Sequence, residues 1–199
     1  MKLEGRAATA HEPTHARLYT AVDLARYCRV DLKTIHNWAR KNAVFHHRTR
    51  GRHLRFYRLD VIDFLRAYGY PVPDDLRAAR PRVILAYRES PEASALKRTL
   101  ARRIDVLAFD DAYDALVSLA TASPEALVLD AALLGEGTAR CIARLRTNDA
   151  TRHIRVIVIG DAPDARAAFI AAGATAHVQH GDPVEAREAI ERIFGHLTP

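Results

Sequence analysis

The chain has few cysteines, few lysines and no long apolar segment. Its 199 residues include two cysteines, Cys28 and Cys141, which lie far apart and belong to no CxxC motif. This spacing suits neither a disulfide framework nor a metal site, so it predicts buried thiols in a reducing cytoplasm. No segment has the roughly 18–20 apolar residues that a membrane-spanning helix needs, and residues 1–15 lack the apolar centre of an export signal. We therefore expect a cytoplasmic protein with no membrane segment.

Acidic residues are absent from one long part of the chain, between Leu32 and Leu59. Residues 1–80 contain 16 Lys and Arg against 8 Asp and Glu, whereas residues 81–199 contain 14 against 16. The formal net charge of +6 therefore comes from the N-terminal part. A one-sided basic field is typical of proteins that bind a polyanion, and a basic face that only maintains solubility is the alternative.

Sequence signatures of catalysis are also missing. We find no Gly-rich phosphate loop, no paired nucleophile and base, and no set of metal ligands. His46, His47 and His53 lie close in sequence, but no Cys or carboxylate completes a metal site around them. We therefore expect neither enzymatic activity nor a cofactor or metal.

Turn-forming residues divide the chain into two domains. Prolines at positions 71 and 73 end the first apolar pattern, and Pro81 precedes the first strand-like segment of the second half. We predict a disordered tail over residues 1–16, a first domain over 17–70, a linker over 71–81 and a second domain over 82–199.

The first domain is predicted to be small and α+β, with two helices, a β-hairpin and a third helix. Thr20 is a suitable cap for a first helix that turns Val22, Leu24, Ala25 and Cys28 to one face. Asp31 is a suitable cap for a second helix, Leu32 to Lys41, on which Ile35 and Trp38 face the core, with Leu32 or Ala39 beside them. A basic segment around Gly51 predicts the hairpin, and Asp60 to Tyr68 predicts the third helix.

The second helix and the hairpin carry the candidate binding residues. Donors and cations on a helix match the base edges and phosphates of a major groove, and arginines on a hairpin match the phosphate backbone or the minor groove. The candidate contacts to double-stranded DNA are Lys33, Thr34, His36, Asn37, Arg40 and Lys41 on the helix, and Arg48, Arg50, Arg52 and Arg55 on the hairpin.

Leu18 to Tyr68 resembles the MerR/excisionase family of winged helix-turn-helix domains. The resemblance is carried by the Leu-Tyr-Thr-x-x-Asp-Leu-Ala opening, the Thr34-Ile35 recognition helix, Trp38, the basic Gly-Arg hairpin and the Leu59-Asp60-Val61 closing helix. It implies that the second helix enters the major groove and that the hairpin is a wing. The long helix that dimerises MerR-type regulators is missing, so the smaller excisionase-like or single-domain regulators are more similar.

The second half alternates short apolar segments with Ala-rich helical ones, which predicts an α/β fold with a doubly wound, five-stranded parallel sheet. The predicted strands are Arg82–Ala86, Asp105–Phe109, Ala126–Leu129, Arg155–Ile159 and Thr175–Gln179. The predicted helices are Pro91–Arg103, Asp111–Thr121, Thr138–Arg146, Asp164–Ala172 and Val184–Leu197.

This half resembles the receiver domains of response regulators, which implies the strand order 2-1-3-4-5. The resemblance rests on the five-fold strand–helix alternation, on Asp130 after the third strand and on Gly173-Ala174 before the fifth. Receivers also need two acidic residues, a hydroxyl and a lysine, where this chain has Tyr87-Arg88, Gly160 and His180-Gly181. We expect a pseudo-receiver in which an arginine neutralises Asp130.

The leading hypothesis is a bacterial DNA-binding regulator or nucleoid-associated architectural protein. Its receiver-like domain is expected to mediate homodimerisation, through the last two helices and the last strand, or to bind a protein partner. One alternative is a working response regulator that is phosphorylated at Asp130. Another is a sensor that binds a small molecule in the crevice at the carboxyl ends of the strands.

Overall fold

The computed structural model describes residues 18–78, 80–161, 165–180 and 183–194. The predicted tail, residues 1–16, lies outside the described residues, as does Gly181. Two sheets are present in the described part, one of three short antiparallel strands and one of five parallel strands. None of the helices in these ranges has the length and apolar character needed to span a membrane.

The first sheet belongs to a helix-turn-helix unit. Strand β1 (Tyr19–Thr20) leads into α1 (Ala21–Cys28) and α2 (Leu32–Arg40), and β2 (His47–Arg48) and β3 (Leu54–Phe56) form the predicted hairpin before α3 (Arg58–Ala67). The strand order β1-β3-β2 shows that Tyr19–Thr20 adds a third strand, which the sequence did not predict. A two-residue strand has too little alternation to be recognised from sequence.

Local capping produces the predicted helix starts. Thr20 and Asp23 form a reciprocal capping box, in which the Asp23 amide donates to Thr20 Oγ1 at 3.2 Å and the Thr20 amide donates to Asp23 Oδ2 at 2.8 Å. Asp31 accepts a hydrogen bond from the Thr34 amide at 2.7 Å, so it caps α2 as predicted. Between the helices, Arg29 has a left-handed backbone with φ of 54°, which ends α1 and turns the chain toward α2.

One predicted core position of this unit is wrong, since Val22 is 61% exposed. Of the two alternatives beside Ile35 and Trp38, Ala39 is buried and Leu32 is 45% exposed. Trp38 is half-buried, with its ring against Phe64 at 5.3 Å and Tyr70 at 6.4 Å between centroids. The remaining predicted positions of α1 and α2 are buried, namely Leu24, Ala25, Cys28, Ile35 and Ala39.

The second sheet has the predicted parallel topology. Its strands are β4 (Arg82–Ala86), β5 (Asp105–Phe109), β6 (Ala126–Asp130), β7 (Arg155–Ile159) and β8 (Ala176–Val178). Their order, β5-β4-β6-β7-β8, is the predicted 2-1-3-4-5. The β6 and β7 strands have almost no exposed side chain, as expected for central strands covered on both faces.

Helices cover both faces of this sheet. In chain order they are α5 (Pro91–Leu100), α6 (Ala112–Ala122), α7 (Gly137–Thr147), α8 (Ala165–Ala171) and α9 (Pro183–Phe194). Two apolar clusters result, one on the α5 and α9 side and one on the side of α6, α7 and α8. The first cluster continues without interruption into the core of the helix-turn-helix unit.

The predicted linker is packed between the two domains. It contains α4 (Asp74–Ala78), whose Leu76 is fully buried in the shared apolar cluster. Tyr27 of α1 donates to Asp75 at 2.7 Å, which fastens α4 to the first domain. This segment is therefore part of the domain interface.

Ion pairs join α3 to the amino-terminal edge of the parallel sheet. The buried Arg58 guanidinium forms a two-pronged pair with Glu125, at 2.7 Å and 2.8 Å, just before β6. Arg155, the first residue of β7, donates to Asp60 at 2.9 Å and to Asp63 at 2.5 Å. Because Asp130 lies at the opposite end of β6, the two domains meet at the edge that is farthest from it.

Aromatic contacts complete the interface beside the hairpin. The rings of Tyr57 and His153 stack in parallel, with centroids 3.7 Å apart. His47 of β2 approaches Tyr57 at 5.1 Å. Burial, and after it repulsion from His47 and nearby arginines, lowers the pKa of His153 to about 4. The hairpin is thereby fixed to the receiver-like domain.

The interface is expected to show two opposed titrations. His153 binds protons more weakly in the folded than in the unfolded chain, whose pKa is about 6.5, so its contribution to stability is lost as pH falls from about 6.5 to 4. Burial raises the pKa of Asp60 to about 6 despite Arg155, so its contribution increases as pH falls over nearly the same range. The two contributions oppose each other in the native protein.

Variants at these positions are expected to separate the two titrations. In Asp60→Asn, the free energy of unfolding relative to wild type should fall by about 2 kcal/mol between about pH 6.5 and 4, after allowance for solvent screening. In His153→Gln, the free energy of unfolding relative to wild type should rise as the pH falls over this range. Urea unfolding across this pH range measures both, and subtracting the wild-type curve removes titrations elsewhere. A flat difference for Asp60→Asn would contradict the assignment.

Candidate functional site

The exposed face of α2 carries most of the predicted contact residues. Four are exposed to solvent, namely Lys33, His36, Arg40 and Lys41. Thr34 and Asn37 are half-buried, and the Asn37 amide oxygen accepts a hydrogen bond from Arg40. The opposite face of α2 is buried through Ile35 and Ala39, so the helix presents its cationic side outward.

The hairpin places a second group of cations beyond α2. Arg48, Arg50 and Arg52 are exposed, whereas Arg55 is half-buried and donates to the Leu54 carbonyl at 2.9 Å. The tip is closed by a hydrogen bond from the Arg52 amide to the Thr49 carbonyl at 2.8 Å. Arg52, rather than Gly51, has the left-handed backbone, with φ of 59°.

Internal hydrogen bonds already hold some of these side chains. Arg48 donates to the Arg52 carbonyl at 3.0 Å across the hairpin. Arg50 and Arg52 are exposed side chains of the hairpin loop. A helix with a cationic outer face, followed by a cationic hairpin, can bind a groove of a nucleic acid and the phosphates beside it.

A second candidate site lies at the carboxyl ends of the parallel strands. Asp130 ends β6 and is almost fully buried. A cavity of about 470 Å³ opens beside it. Its lining is largely polar and charged, and includes Tyr87, Arg88, Glu89, Glu92, Asp161 and His180.

His180 bridges two carboxylates in this cavity. Its Nε2 lies 3.2 Å from Asp130 Oδ1, and its Nδ1 lies 3.3 Å from Asp161 Oδ2. Asp130 Oδ1 also accepts a hydrogen bond from the Ala132 amide at 2.8 Å. Among the described residues, the partner of the Asp130 carboxylate is thus His180, and the expectation that Arg88 neutralises it is wrong. His180 can contact Asp130 because it follows β8, which ends at the same edge of the parallel sheet as β6.

In the part of the chain that the structure describes, the acidic and histidine side chains of this cavity form no group of three or more that could hold a metal ion. Tyr87 and Arg88 follow β4, where two carboxylates would be required. At the position of the receiver hydroxyl, a Cβ added to Gly160 would lie 3.0 Å from the Ala131 Cβ, so a larger residue would require the chain to shift.

Sequence reasoning missed the residues that orient the two domains. Arg58, Asp60 and Asp63 lie on a helix whose apolar residues were recognised, but their partners are distant in sequence. The only local signal was that charged residues interrupt the apolar positions of α3. Arg152 and His153 follow α7 in a polar segment that carries no motif.

The two parts of the chain match different known proteins. Residues 18–68 match the helix-turn-helix domain family. The search of curated proteins gives no match. Among solved structures, a response regulator from Thermotoga maritima is 20% identical, with coverage of 59% of this chain and 99% of that chain and a TM-score of 0.52.

Two further solved structures have a similar fold. The signal receiver domain of a response regulator from Bermanella marisrubri is 20% identical over 58% of this chain and 98% of its own, with a TM-score of 0.52. The receiver domain of a sensor histidine kinase from Pseudomonas aeruginosa PAO1 is 16% identical over 59% and 99%, with a TM-score of 0.51. Residues 18–68 are therefore a helix-turn-helix domain, and the parallel-sheet domain that follows has the fold of a response-regulator receiver.

Proposed function

We propose that the protein is a bacterial DNA-binding regulator, or an architectural protein of the nucleoid, that binds double-stranded DNA through α2 and the wing. The observation that carries this proposal is the set of exposed cations on α2 and the hairpin of a matched helix-turn-helix domain. The concentration of net positive charge in residues 1–80 supports it. Phosphate neutralisation by these side chains supplies affinity, and α2 supplies base contacts.

The proposal predicts binding that weakens steeply with salt. Each neutralised phosphate contributes a slope of about −0.9 to the dependence of log affinity on log salt concentration. Gel-shift or fluorescence-anisotropy titrations with a random duplex, from about 50 to 200 mM salt, measure this slope. Absence of binding at about 50 mM salt would overturn the proposal. Genome-wide occupancy would then identify the target sites.

We further propose that the N-terminal domain is of the MerR/excisionase winged type. The β2–β3 hairpin directly after α2, and the short α3 that packs beneath it, support this assignment. In this arrangement α2 lies in the major groove, and Arg50 and Arg52 lie along the backbone or in the minor groove.

We propose that the receiver-like domain acts without phosphorylation. Asp130 is 3% exposed at its side chain and is held by His180 and the Ala132 amide, so it is poorly placed to attack a phosphodonor. The P. aeruginosa receiver is described with a coordinated magnesium ion in its active-site cleft, whereas in this chain Tyr87 and Arg88 follow β4, where the receiver resemblance implies two acidic residues. These observations disfavour the alternative of a phosphorylated response regulator.

Incubation with a small phosphodonor and Mg²⁺ is therefore expected to leave the protein mass unchanged. Intact-mass spectrometry measures the outcome, and a receiver domain with its full acidic set serves as the positive control. A gain of one phosphoryl group that disappears in Asp130→Asn would contradict the phosphorylation-independent function.

Self-association through the receiver-like domain remains our proposal for its function, on a smaller surface than the sequence indicated. The carboxyl end of α9 is occupied within the chain, since Phe194 is buried under Arg58 and the Arg192 carbonyl accepts from Arg66 at 3.3 Å. Residues 164 and 195–197 of the predicted surface lie outside the described residues. The available part includes edge strand β8 and the exposed Ile170 and Val184. Sedimentation of the full chain and of Ile170→Asp tests it.

The small-molecule alternative has one supporting observation, the cavity beside Asp130. Its volume of about 470 Å³ is adequate for a small ligand. Most of its lining side chains are charged, and three of them, Asp130, Asp161 and His180, pair with one another, whereas pockets for small organic ligands are mostly apolar. We therefore place this function second.

A further inference from the structure

The loop between α7 and β7, residues 148–154, belongs to the receiver-like domain but lies against the wing of the helix-turn-helix domain. Its His153 stacks on Tyr57, with ring centroids 3.7 Å apart. The guanidinium carbon of Arg152 lies 5.1 Å from the ring centroid of Phe45. Phe45 is part of the short connection from α2 to β2. Arg152 is therefore adjacent to the segment that joins the two proposed DNA-contacting elements.

Internal hydrogen bonds hold this loop in one conformation. The Asn148 side chain accepts from the Ala150 amide at 2.9 Å, and the Asn148 carbonyl accepts from the Arg152 amide at 2.9 Å. The buried Thr151 donates its hydroxyl to the Leu145 carbonyl at 2.9 Å. Arg152 thus projects from an ordered turn, and binding through it requires little ordering of the backbone.

Positive charge is concentrated on this side of an otherwise acidic domain. Residues 140–155 contain five arginines and one acidic residue, although residues 81–199 as a whole contain more Asp and Glu than Lys and Arg. Two of the five are used internally, since Arg146 donates to the Gly173 carbonyl and Arg155 pairs with Asp60. The three exposed ones are Arg140, Arg144 and Arg152.

We propose that this loop extends the DNA-contacting surface onto the receiver-like domain, with Arg152 as a contact to a backbone phosphate beside the wing. The inference rests on the proposed DNA-binding function. Asp149 lies 3.2 Å from Arg152 Nε and is exposed, so it competes with a phosphate for the same guanidinium. A planar guanidinium has further N–H groups that can donate to phosphate oxygens. The receiver-like domain therefore takes part directly in DNA binding.

Salt-dependent binding of the full-length protein to a random duplex tests this inference. Arg152→Gln should lower affinity about 5- to 10-fold for all sequences and reduce the magnitude of the salt slope by about 0.9. Arg152→Lys should restore the slope because it keeps the charge. Asp149→Asn should raise affinity about 2- to 5-fold, since it removes the competing carboxylate. The matched control is Arg98→Gln, an exposed arginine on α5, which should bind as wild type.

The outcomes distinguish this inference from the proposed function. Wild-type protein that fails to bind at about 50 mM salt would overturn both. Wild-type binding with an unchanged slope in Arg152→Gln would overturn the inference alone. Thermal unfolding shows whether Arg152→Gln is folded; if it is not, Asp149→Asn decides, because unchanged affinity in that variant contradicts the inference.

Discussion

Replacing Arg58 with alanine is expected to lower the free energy of unfolding by about 3–5 kcal/mol. The Arg58 side chain is 6% exposed, and its guanidinium pairs with Glu125, donates to the Leu76 carbonyl at 3.0 Å and covers the Phe194 ring. Alanine leaves the Glu125 carboxylate, which is 20% exposed, without its partner. Burial already raises the pKa of Glu125, and Arg58 opposes that effect. Urea unfolding of the full chain at neutral pH measures the loss.

A double variant separates the buried charge from the lost packing. In Arg58→Met with Glu125→Leu, both ions are replaced by apolar groups of similar length, so most of the stability should return. Arg98→Ala, on the exposed side of α5, should stay within about 0.5 kcal/mol of wild type. A loss below about 1 kcal/mol in Arg58→Ala would show that this ion pair is not what holds the domains together.

The second large effect is expected in the wing. The double variant Arg50→Ala, Arg52→Ala should bind all DNA sequences more weakly, by on the order of 100-fold near 50 mM salt. The magnitude of the slope of log affinity against log salt concentration should fall by about 1.8, because two phosphate contacts are removed. Both side chains are exposed, so the folded state should be unaffected within about 0.5 kcal/mol. Fluorescence anisotropy with specific and random duplexes measures the affinities.

A variant on α2 tests whether this helix distinguishes between DNA sequences. Lys33→Ala should change the preference among sequences, by about 1–3 kcal/mol at the base pair it contacts. The wing variant should leave that preference intact. Equal losses on every sequence from both variants would contradict a base-reading α2 and leave only backbone binding.

Local patterns were sufficient to predict most of the architecture. The caps at Thr20 and Asp31, the hairpin around Gly51 and the five strand–helix units depend on interactions between near neighbours, which spacing reveals. The order of the parallel strands was implied by resemblance and is confirmed. The charge of residues 1–80 predicted a polyanion partner, and the matched helix-turn-helix domain supports that reading.

Contacts between distant residues were beyond the reach of sequence patterns. The pairing of Arg58 with Glu125, the stack of Tyr57 on His153 and the shared apolar core around Leu76 each join the two domains. The hydrophobic periodicity of the sequence does not reveal such contacts, because each residue is compatible with its own helix or strand whether or not the distant partner is present. The amino-acid sequence by itself therefore determined a basic helix-turn-helix domain and a five-stranded parallel sheet. Only the tertiary structure decided that His180 contacts Asp130 at the carboxyl ends of the strands, and that the helix-turn-helix domain packs against their amino ends. Both contacts depend on how separate elements pack.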